Sequence, residues 1–209
     1  MNAFGPLPDP QHLFDHDEAA QAFADILDAR ASEDEIQAFL VALTARGETM
    51  VEIAAAAQAM RERLIPIDAP EGAIDVCGTG GDGHHTLNVS TAVSIVVAAC
   101  EVPVAKHGNR AASSKAGAAD TLEALGLDME RAGRMAEATL KDLGICFLFA
   151  ANHHPAMKRI QPIRQRIGQR TIFNLMGPLA NPARVKRQLI GIARPAYVPV
   201  YAEALHHLG

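Results

Sequence analysis

Four short apolar runs, AIDVC at 73–77, VPVA at 102–105, ICFLF at 145–149 and QLIGI at 188–192, are separated by segments of helical length. Apolar runs of this length suit strands buried on both faces, as in a parallel sheet, and the segments between them have room for crossover helices. Helical stretches are expected at about 88–100, 114–125, 131–143 and 154–167. The first third of the chain reads differently. Residues 1–13 hold three of the twelve prolines and form an irregular lead-in. Ala19, Ala22, Phe23, Ile26 and Leu27 then lie on one face of a helix over 17–29. Ser32-Glu-Asp-Glu35 is a capping-box pattern for a helix through Ile36, Phe39, Leu40 and Leu43 that stops at Gly47. Thr49-Met-Val-Glu52 repeats the device for a helix running to about Arg63. The predicted fold class is α/β: a small N-terminal all-helical domain over 1–68 and a larger α/β domain with a mainly parallel central sheet over 69–209. Helices around 154–185 are candidates to pack on the helical domain. The end at Gly209, after an apparent helix with no strand following, reads as a truncated, incomplete sheet.

Composition narrows the function. A net charge of −5 gives no basic field for nucleic acid or an anionic membrane, so any anion site must be local. Aromatic residues are 4% of the chain and tryptophan is absent, which leaves few platforms for stacking bases. No apolar run approaches the roughly 20 residues of a membrane span, and no signal peptide precedes the fold. Cys77, Cys100 and Cys146 are far apart in apolar surroundings and read as reduced, buried small hydrophobes of a cytoplasmic protein.

Two loops carry the chemistry. Gly78-Thr-Gly-Gly-Asp-Gly83 follows the first predicted strand, and Asn88-Val-Ser-Thr91 follows the glycines at a predicted helix start, where Asn88 or Ser90 can cap and the N–H groups can face an anion. Lys106-His-Gly-Asn-Arg-Ala-Ala-Ser-Ser114 follows the second strand and ends in two hydroxyls before another helix. Glycines let backbone N–H groups approach an anion, so the two loops read as two walls of one polyphosphate site. Residues 78–83 formally satisfy GxGxxG. A dinucleotide loop, however, opens a helix within the motif and has an acidic residue at the end of the next strand. Here His84-His85-Thr86 intervene and the next strand ends in Lys106-His107. A P-loop is excluded because no Gly-Lys-Ser/Thr follows. The histidine pairs 84/85, 153/154 and 206/207 lack zinc-site spacing, though His107 and His154 are candidates to line a pocket. From local sequence Arg164 is either a surface residue or a guanidinium offered to a carboxylate.

These motifs, with AADTLEALG at 118–126 and RTIFNLMGPLANP at 170–182, resemble the anthranilate phosphoribosyltransferase family over nearly the whole chain. Such enzymes join anthranilate to 5-phosphoribosyl 1-diphosphate in tryptophan synthesis, on a nucleoside phosphorylase/phosphoribosyltransferase-like fold. The resemblance implies that Gly78, Gly81, Asp82, Thr86, Asn88, Val89, Ser90 and Thr91 hold the phosphoribosyl diphosphate, together with Lys106, His107, Gly108, Asn109, Arg110, Ala111, Ala112, Ser113 and Ser114. It implies Mg²⁺ as cofactor, with Ser90 helping to coordinate it, and an anthranilate site of Gly78, Asn109, Arg164, His107, His154 and Pro178, with Arg164 on the carboxylate. It also implies a cytoplasmic homodimer assembled through the helical domain, with small-molecule substrates and neither nucleic acid nor membrane as partner. Two departures stand out. Ala118 replaces a serine common in the family, and the family's Asp-Glu pair for Mg²⁺ falls beyond residue 209, so poor activity is expected of a chain ending there. The rivals are a pyrimidine nucleoside phosphorylase of the same fold and a non-catalytic binding relative; the charge of −5 argues against the latter.

Overall fold

Each of the first three helices starts where a carboxylate takes over N–H groups that have no helical partner. In the computed structural model, which describes residues 3–80, 87–111 and 116–209, α1 (His16–Leu27) is opened by a reciprocal Asp15–Glu18 box and α2 (Glu33–Arg46) by Ser32–Glu35. At the start of α3 (Met50–Glu62), Glu52 accepts the backbone N–H of Thr49 at 2.6 Å and its hydroxyl at 2.7 Å. Glu52 is fully buried and also pairs with Arg46, which satisfies its charge.

The chain divides into two compact units. The first comprises the chain as far as Leu64, His154–Ala180 and Ala196–Gly209; the second comprises Ile65–His153 and Asn181–Pro195. The first unit thus adds α9 (Met157–Ile167), α10 (Met176–Leu179) and α11 (Val198–Leu208) to the three N-terminal helices. A single cut near residue 68 does not describe this division. Ile160, Ile163, Phe173 and Tyr201 are buried, the Phe173 ring meets the Phe23 ring edge-on at 6.4 Å, and the Tyr201 hydroxyl donates to the Leu175 carbonyl at 2.8 Å. Local periodicity identified these helices, but only their apolar faces decide which core they complete.

The second unit holds a four-stranded parallel sheet in the order β3-β2-β1-β4, with β1 at Ile74–Gly78, β2 at Val104–Gly108, β3 at Ile145–Phe149 and β4 at Arg187–Gly191. The crossovers are α4 (Val89–Ala99) between β1 and β2, then α5 (Ala118–Ala124), α6 (Met129–Arg134) and α7 (Ala136–Leu143) between β2 and β3. A short α8 (Ala150–His153) follows β3. Ala105, Cys146, Leu148, Ala136 and Leu140 form a core between the sheet and α7.

Three expectations shift. The second strand starts later than expected, at Val104 after Pro103, which has no N–H to give a ladder, and it continues to Gly108, taking Lys106 and His107 into the sheet. The helix expected over 131–143 is broken at Met135 into α6 and α7. Cys100 is exposed at the end of α4 rather than buried. That helix buries Thr91 and Ser94 and leaves Ile95 and Val96 exposed.

Candidate active site

The carboxyl ends of adjacent parallel strands are where α/β folds build ligand crevices, and the two sequence loops leave the ends of β1 and β2. β1 ends at Gly78, where an added Cβ would stand 3.2 Å from the Gly191 carbonyl of β4, so a side chain would press the strands apart. Thr79 is buried and ties the loop down: its N–H donates to the Gly191 carbonyl at 2.9 Å, and its hydroxyl accepts the Ala193 N–H at 3.1 Å. Gly80 follows with φ +67, a left-handed turn that favours glycine. The expected ligands Gly81, Asp82 and Thr86 lie outside the described residues.

The start of α4 departs from the capping expected of it. The Asn88 side chain accepts no helix N–H. Its Oδ1 instead takes the hydroxyls of Thr91 at 2.8 Å and Ser90 at 3.5 Å. The first turn of Val89, Ser90 and Thr91 therefore has no side-chain cap, which suits an N-terminus that receives an outside anion.

The second wall rests on buried charge. Lys106 and Asp75 are both buried in the sheet; Lys106 Nζ donates to the Val76 carbonyl at 2.9 Å, and Asp75 Oδ1 accepts the His107 N–H at 3.1 Å. Burial pulls the Lys106 pKa down, opposed by the field of Asp75, and burial pushes the Asp75 pKa up, opposed by the amide of Asn181 and the charge of Lys106. Lys106 is thus committed to β1 and reaches the crevice through its field rather than as a solvated loop cation. Burial, reinforced by Asp75, pushes the Cys77 thiol up, and Cys146 is pushed up to about 12, so neither offers a thiolate at neutral pH.

Beyond His107 the chain narrows. A Cβ on Gly108 would lie 2.8 Å from the Phe147 ring and 2.9 Å from the Cβ of Ala118. Asn109 and Arg110 are exposed and Ala111 is half-buried; Ala112, Ser113 and Ser114 lie outside the described residues. Arg110 pairs with Asp120 at 3.0 Å and Glu123 at 2.7 Å, with its guanidinium over the Phe149 ring. Thr121 joins the two walls: its hydroxyl donates to the Gly117 carbonyl at 2.9 Å and receives the Asn88 amide at 3.4 Å.

In the first unit, Arg164 lies on α9, half-buried; its carbonyl accepts the Gly168 N–H, but its guanidinium has no hydrogen-bond or ion-pair partner among the described residues. Its neighbours do: Arg159 donates to the Ala31 carbonyl at 2.8 Å and Arg166 pairs with Glu33 at 3.1 Å. Burial pulls the Arg164 pKa below its ordinary range, and with no anion to offset that cost the guanidinium is suited to receive one. His154 and Pro178 are buried in the same unit. The Leu179 carbonyl, one residue beyond Pro178, accepts from Arg61 at 2.7 Å.

Sequence reasoning missed four residues that shape the crevice: Asp75, Thr79, Asp120 and Asn181. A carboxylate inside the apolar run AIDVC was a readable signal for Asp75. Asn181 accepts the Ala183 N–H at 2.8 Å, a local turn that Asn181-Pro182 signals, and donates to the Ala105 carbonyl at 2.9 Å, a partner 76 residues away that nothing local announces.

Loops rich in glycine and hydroxyl residues that leave the ends of adjacent parallel strands mark an α/β protein of the kind that builds its ligand crevice there. The chain belongs to the glycosyl transferase family, whose helical bundle domain matches residues 11–64 and whose a/b domain matches residues 70–209. It is 81% identical over its whole length to the anthranilate phosphoribosyltransferase of Sphingopyxis alaskensis, covering 63% of that protein, and 51% identical to that of Caulobacter vibrioides, covering 62%. The crystal structure of anthranilate phosphoribosyltransferase from Thermus thermophilus is similar at TM-score 0.88 and 43% identity, with all of this chain and 64% of that one covered. The Saccharomyces cerevisiae enzyme in complex with PRPP and Mg is similar at TM-score 0.87 and 28% identity, with 99% of this chain and 61% of that one covered. The chain thus spans less than two thirds of the length of these relatives.

Proposed function

We propose that this chain is the phosphoribosyl diphosphate-binding part of an anthranilate phosphoribosyltransferase. The observation that carries the reading is the junction of the two loops: the Asn88 amide meets Thr121, which brings the uncapped start of α4 beside the loop after β2. The turn at Gly80 and the start of α4, where the Val89 and Thr91 N–H groups already donate to the Leu87 and Asn88 carbonyls and Ser90 carries no such bond among the described residues, are then the donors offered to the phosphates. The Arg164 guanidinium, partnerless among the described residues, is the fork suited to the carboxylate of anthranilate.

The reaction breaks the bond between ribose C1 and the diphosphate oxygen and forms one to the aromatic amine, which gives up a proton. Such displacements pass through an oxocarbenium-like state, and the departing diphosphate gathers negative charge that preorganised amides stabilise. The neutral amine is already nucleophilic, so its positioning is worth more than a strong base. We assign no general base.

The family resemblance is what implies Mg²⁺. The hydroxyl of Ser90 at the α4 start is one oxygen suited to it, beside the diphosphate. Mg²⁺ is commonly held by one or two carboxylates and the phosphates of its substrate, and among the described residues no three His, Cys, Asp or Glu side chains gather to add to Ser90. When bound it would neutralise charge on the diphosphate. On the family resemblance, the reading extends to a homodimer formed through the helical domain and a cytoplasmic location.

Calorimetric titration with 5-phosphoribosyl 1-diphosphate, with and without Mg²⁺, tests the proposal. Mg²⁺-dependent binding supports it, and binding of thymidine with inorganic phosphate in its place would transfer the site to a nucleoside phosphorylase.

A further inference from the structure

The ladder between β1 and β2 stops almost where it starts. β1 pairs with β4 from Ile74–Arg187 to Gly78–Gly191, and β2 pairs with β3 from Val104–Ile145 to Gly108–Phe149, but between β1 and β2 Ile74 and Val104 alone are in register. There the Ile74 N–H donates to the Pro103 carbonyl at 2.9 Å, so β1 turns its backbone groups toward β2 again two residues on, at Val76. A ladder continued by that step would join the His107 N–H to the Val76 carbonyl and use the Ala105 carbonyl as well. Side chains take all three groups instead. The His107 N–H donates to Asp75 Oδ1 at 3.1 Å, the Val76 carbonyl accepts Lys106 Nζ at 2.9 Å, and the Ala105 carbonyl accepts the Asn181 amide at 2.9 Å.

Stability alone does not call for this exchange. A closed ladder would need no buried charge, whereas Asp75, Lys106 and Asn181 are all buried. Asp75 Oδ2 has no partner of hydrogen-bonding geometry among the described residues, although the Asn181 amide and the Cys77 thiol stand near the carboxyl. An unmet buried acceptor is a cost that a fold keeps for a reason. Each strand end also leans on its outer neighbour. A Cβ on Gly78 would first meet Gly191 of β4, at 3.2 Å, and one on Gly108 would first meet Phe147 of β3, at 2.8 Å. The interrupted ladder thus lies just below Gly78 and Gly108, at the carboxyl ends where α/β folds place their ligands.

We infer that Asp75 is a positioning residue for the substrate crevice: with Lys106 and Asn181 it holds the carboxyl ends of β1 and β2 apart, and so sets the width between Gly78 and Gly108 that admits a sugar diphosphate. This rests on the phosphoribosyl diphosphate reading proposed above. Neighbouring strands of a closed ladder run about 4.8 Å apart, too close for a sugar or a phosphate to settle between their ends. Asp75 and Lys106 are of opposite charge, so replacing both leaves the net charge beneath the crevice as it was and changes the spacing. Exchanging buried opposite charges for apolar side chains of similar volume is often neutral for stability. Stability and diphosphate affinity therefore separate in such a variant.

The test uses the 209-residue chain in two variants. Asp75→Val combined with Lys106→Met lets the His107 N–H fall back on the Val76 carbonyl, and Asp75→Asn keeps an acceptor for that N–H without the charge. Magnetic resonance reports closure as a coupling through a His107–Val76 hydrogen bond that the parent lacks. Urea denaturation reports stability, and calorimetry with Mg²⁺ reports the affinity for 5-phosphoribosyl 1-diphosphate. The double variant is expected to show the coupling, to unfold near the parent's urea midpoint and to bind the diphosphate about 10- to 100-fold more weakly. Asp75→Asn should bind as the parent does. Parent-like affinity in a double variant that shows the coupling overturns the inference while leaving the phosphoribosyl reading standing. A folded double variant without the coupling overturns it too, since the strands would then stay apart unaided. A loss in Asp75→Asn as large as in the double variant does the same, because charge rather than spacing would be at work. Should the double variant not fold, Asp75→Asn decides alone, with parent-like affinity supporting the inference and a tenfold loss overturning it. Parent protein that binds no diphosphate overturns the phosphoribosyl reading, and with it the role of Asp75 in the crevice.

Discussion

Lys106 Nζ donates to the Val76 carbonyl at 2.9 Å, which ties β2 to β1 directly beneath the two loops. In the sequence this lysine opens a polar, glycine-containing stretch and looks like a solvated phosphate ligand. In the fold the residue is 3% exposed and shares its surroundings with Asp75. The amine is thus fixed to β1 beneath the two loops, where burial works against its positive charge and the field of Asp75 works for it.

Removing the Lys106 side chain leaves the Val76 carbonyl without its donor and takes away the field that opposes the burial of Asp75. Lys106→Met is therefore expected to destabilise the fold by about 1–3 kcal/mol in urea denaturation, the scale of a buried polar group left unsatisfied. Combining it with Asp75→Asn should cost less than the sum of the single changes, because each removes the reason the other is harmful. Additive losses would show that the two groups do not sense each other.

Arg164 makes the opposite case. With no protein partner for its guanidinium among the described residues, its truncation to alanine should shift stability by no more than about 0.5 kcal/mol. Anthranilate binding should weaken roughly 10- to 100-fold by calorimetry, the scale of a lost charged hydrogen bond. A large drop in melting temperature would mean that the guanidinium is structural.

Gly117→Ala places a methyl group against the backbones of Ala111, Asn109 and Arg110 at 2.5–2.6 Å, and backbone atoms have nowhere to go. A loss of about 1–3 kcal/mol is expected, as for other overpacked sites. Protease cleavage between 111 and 117 should quicken at the same time. Gly80→Ala meets no neighbouring atom among the described residues and should cost the left-handed strain, about 1–2 kcal/mol.

The pH dependence of the two N–H bonds to Asp120 follows from the sign of its shift. Its folded pKa is lowered, first by the N–H of Ala111 and then by that of Gly117, so the folded state favours the carboxylate. That contribution is complete above the unfolded value of about 3.9 and is lost as pH falls through the lower folded value. The stability gap between the parent and Asp120→Asn should hold from about pH 5 upward and shrink below about pH 4 in acid titrations of unfolding. A gap that widens on acidification would reverse the assignment.

Much of the architecture was legible from local pattern. The capping residues Ser32 and Glu35 stand where expected, the run ICFLF is β3 to the residue, and the parallel sheet follows from short apolar runs divided by helices. Legibility failed where a long-range partner decides the outcome. Lys106 reads as a loop cation until Val76 is beside it, and Arg110 reads as a phosphate ligand until Asp120 and Glu123 bind it. Asn88 reads as a helix cap until the hydroxyl of Thr91 takes its oxygen.

The sequence by itself determined most of the elements, because glycine and capping preferences act over a few residues, and it supplied the reading of the two loops as an anion site that the proposed function rests on. It also carried the motifs of the glycosyl transferase family, whose models match residues 11–64 and 70–209. Tertiary structure alone decided which charges are spent and which remain available. Asp75 and Lys106 are buried under the loops, Asp120 accepts the N–H groups of Ala111 and Gly117, and the Arg164 guanidinium is left without a partner among the described residues. The physical reason is that a charge acquires its role from its surroundings: burial and a neighbouring partner fix Lys106 and Asp120 in place, and the lack of one leaves Arg164 suited to a ligand.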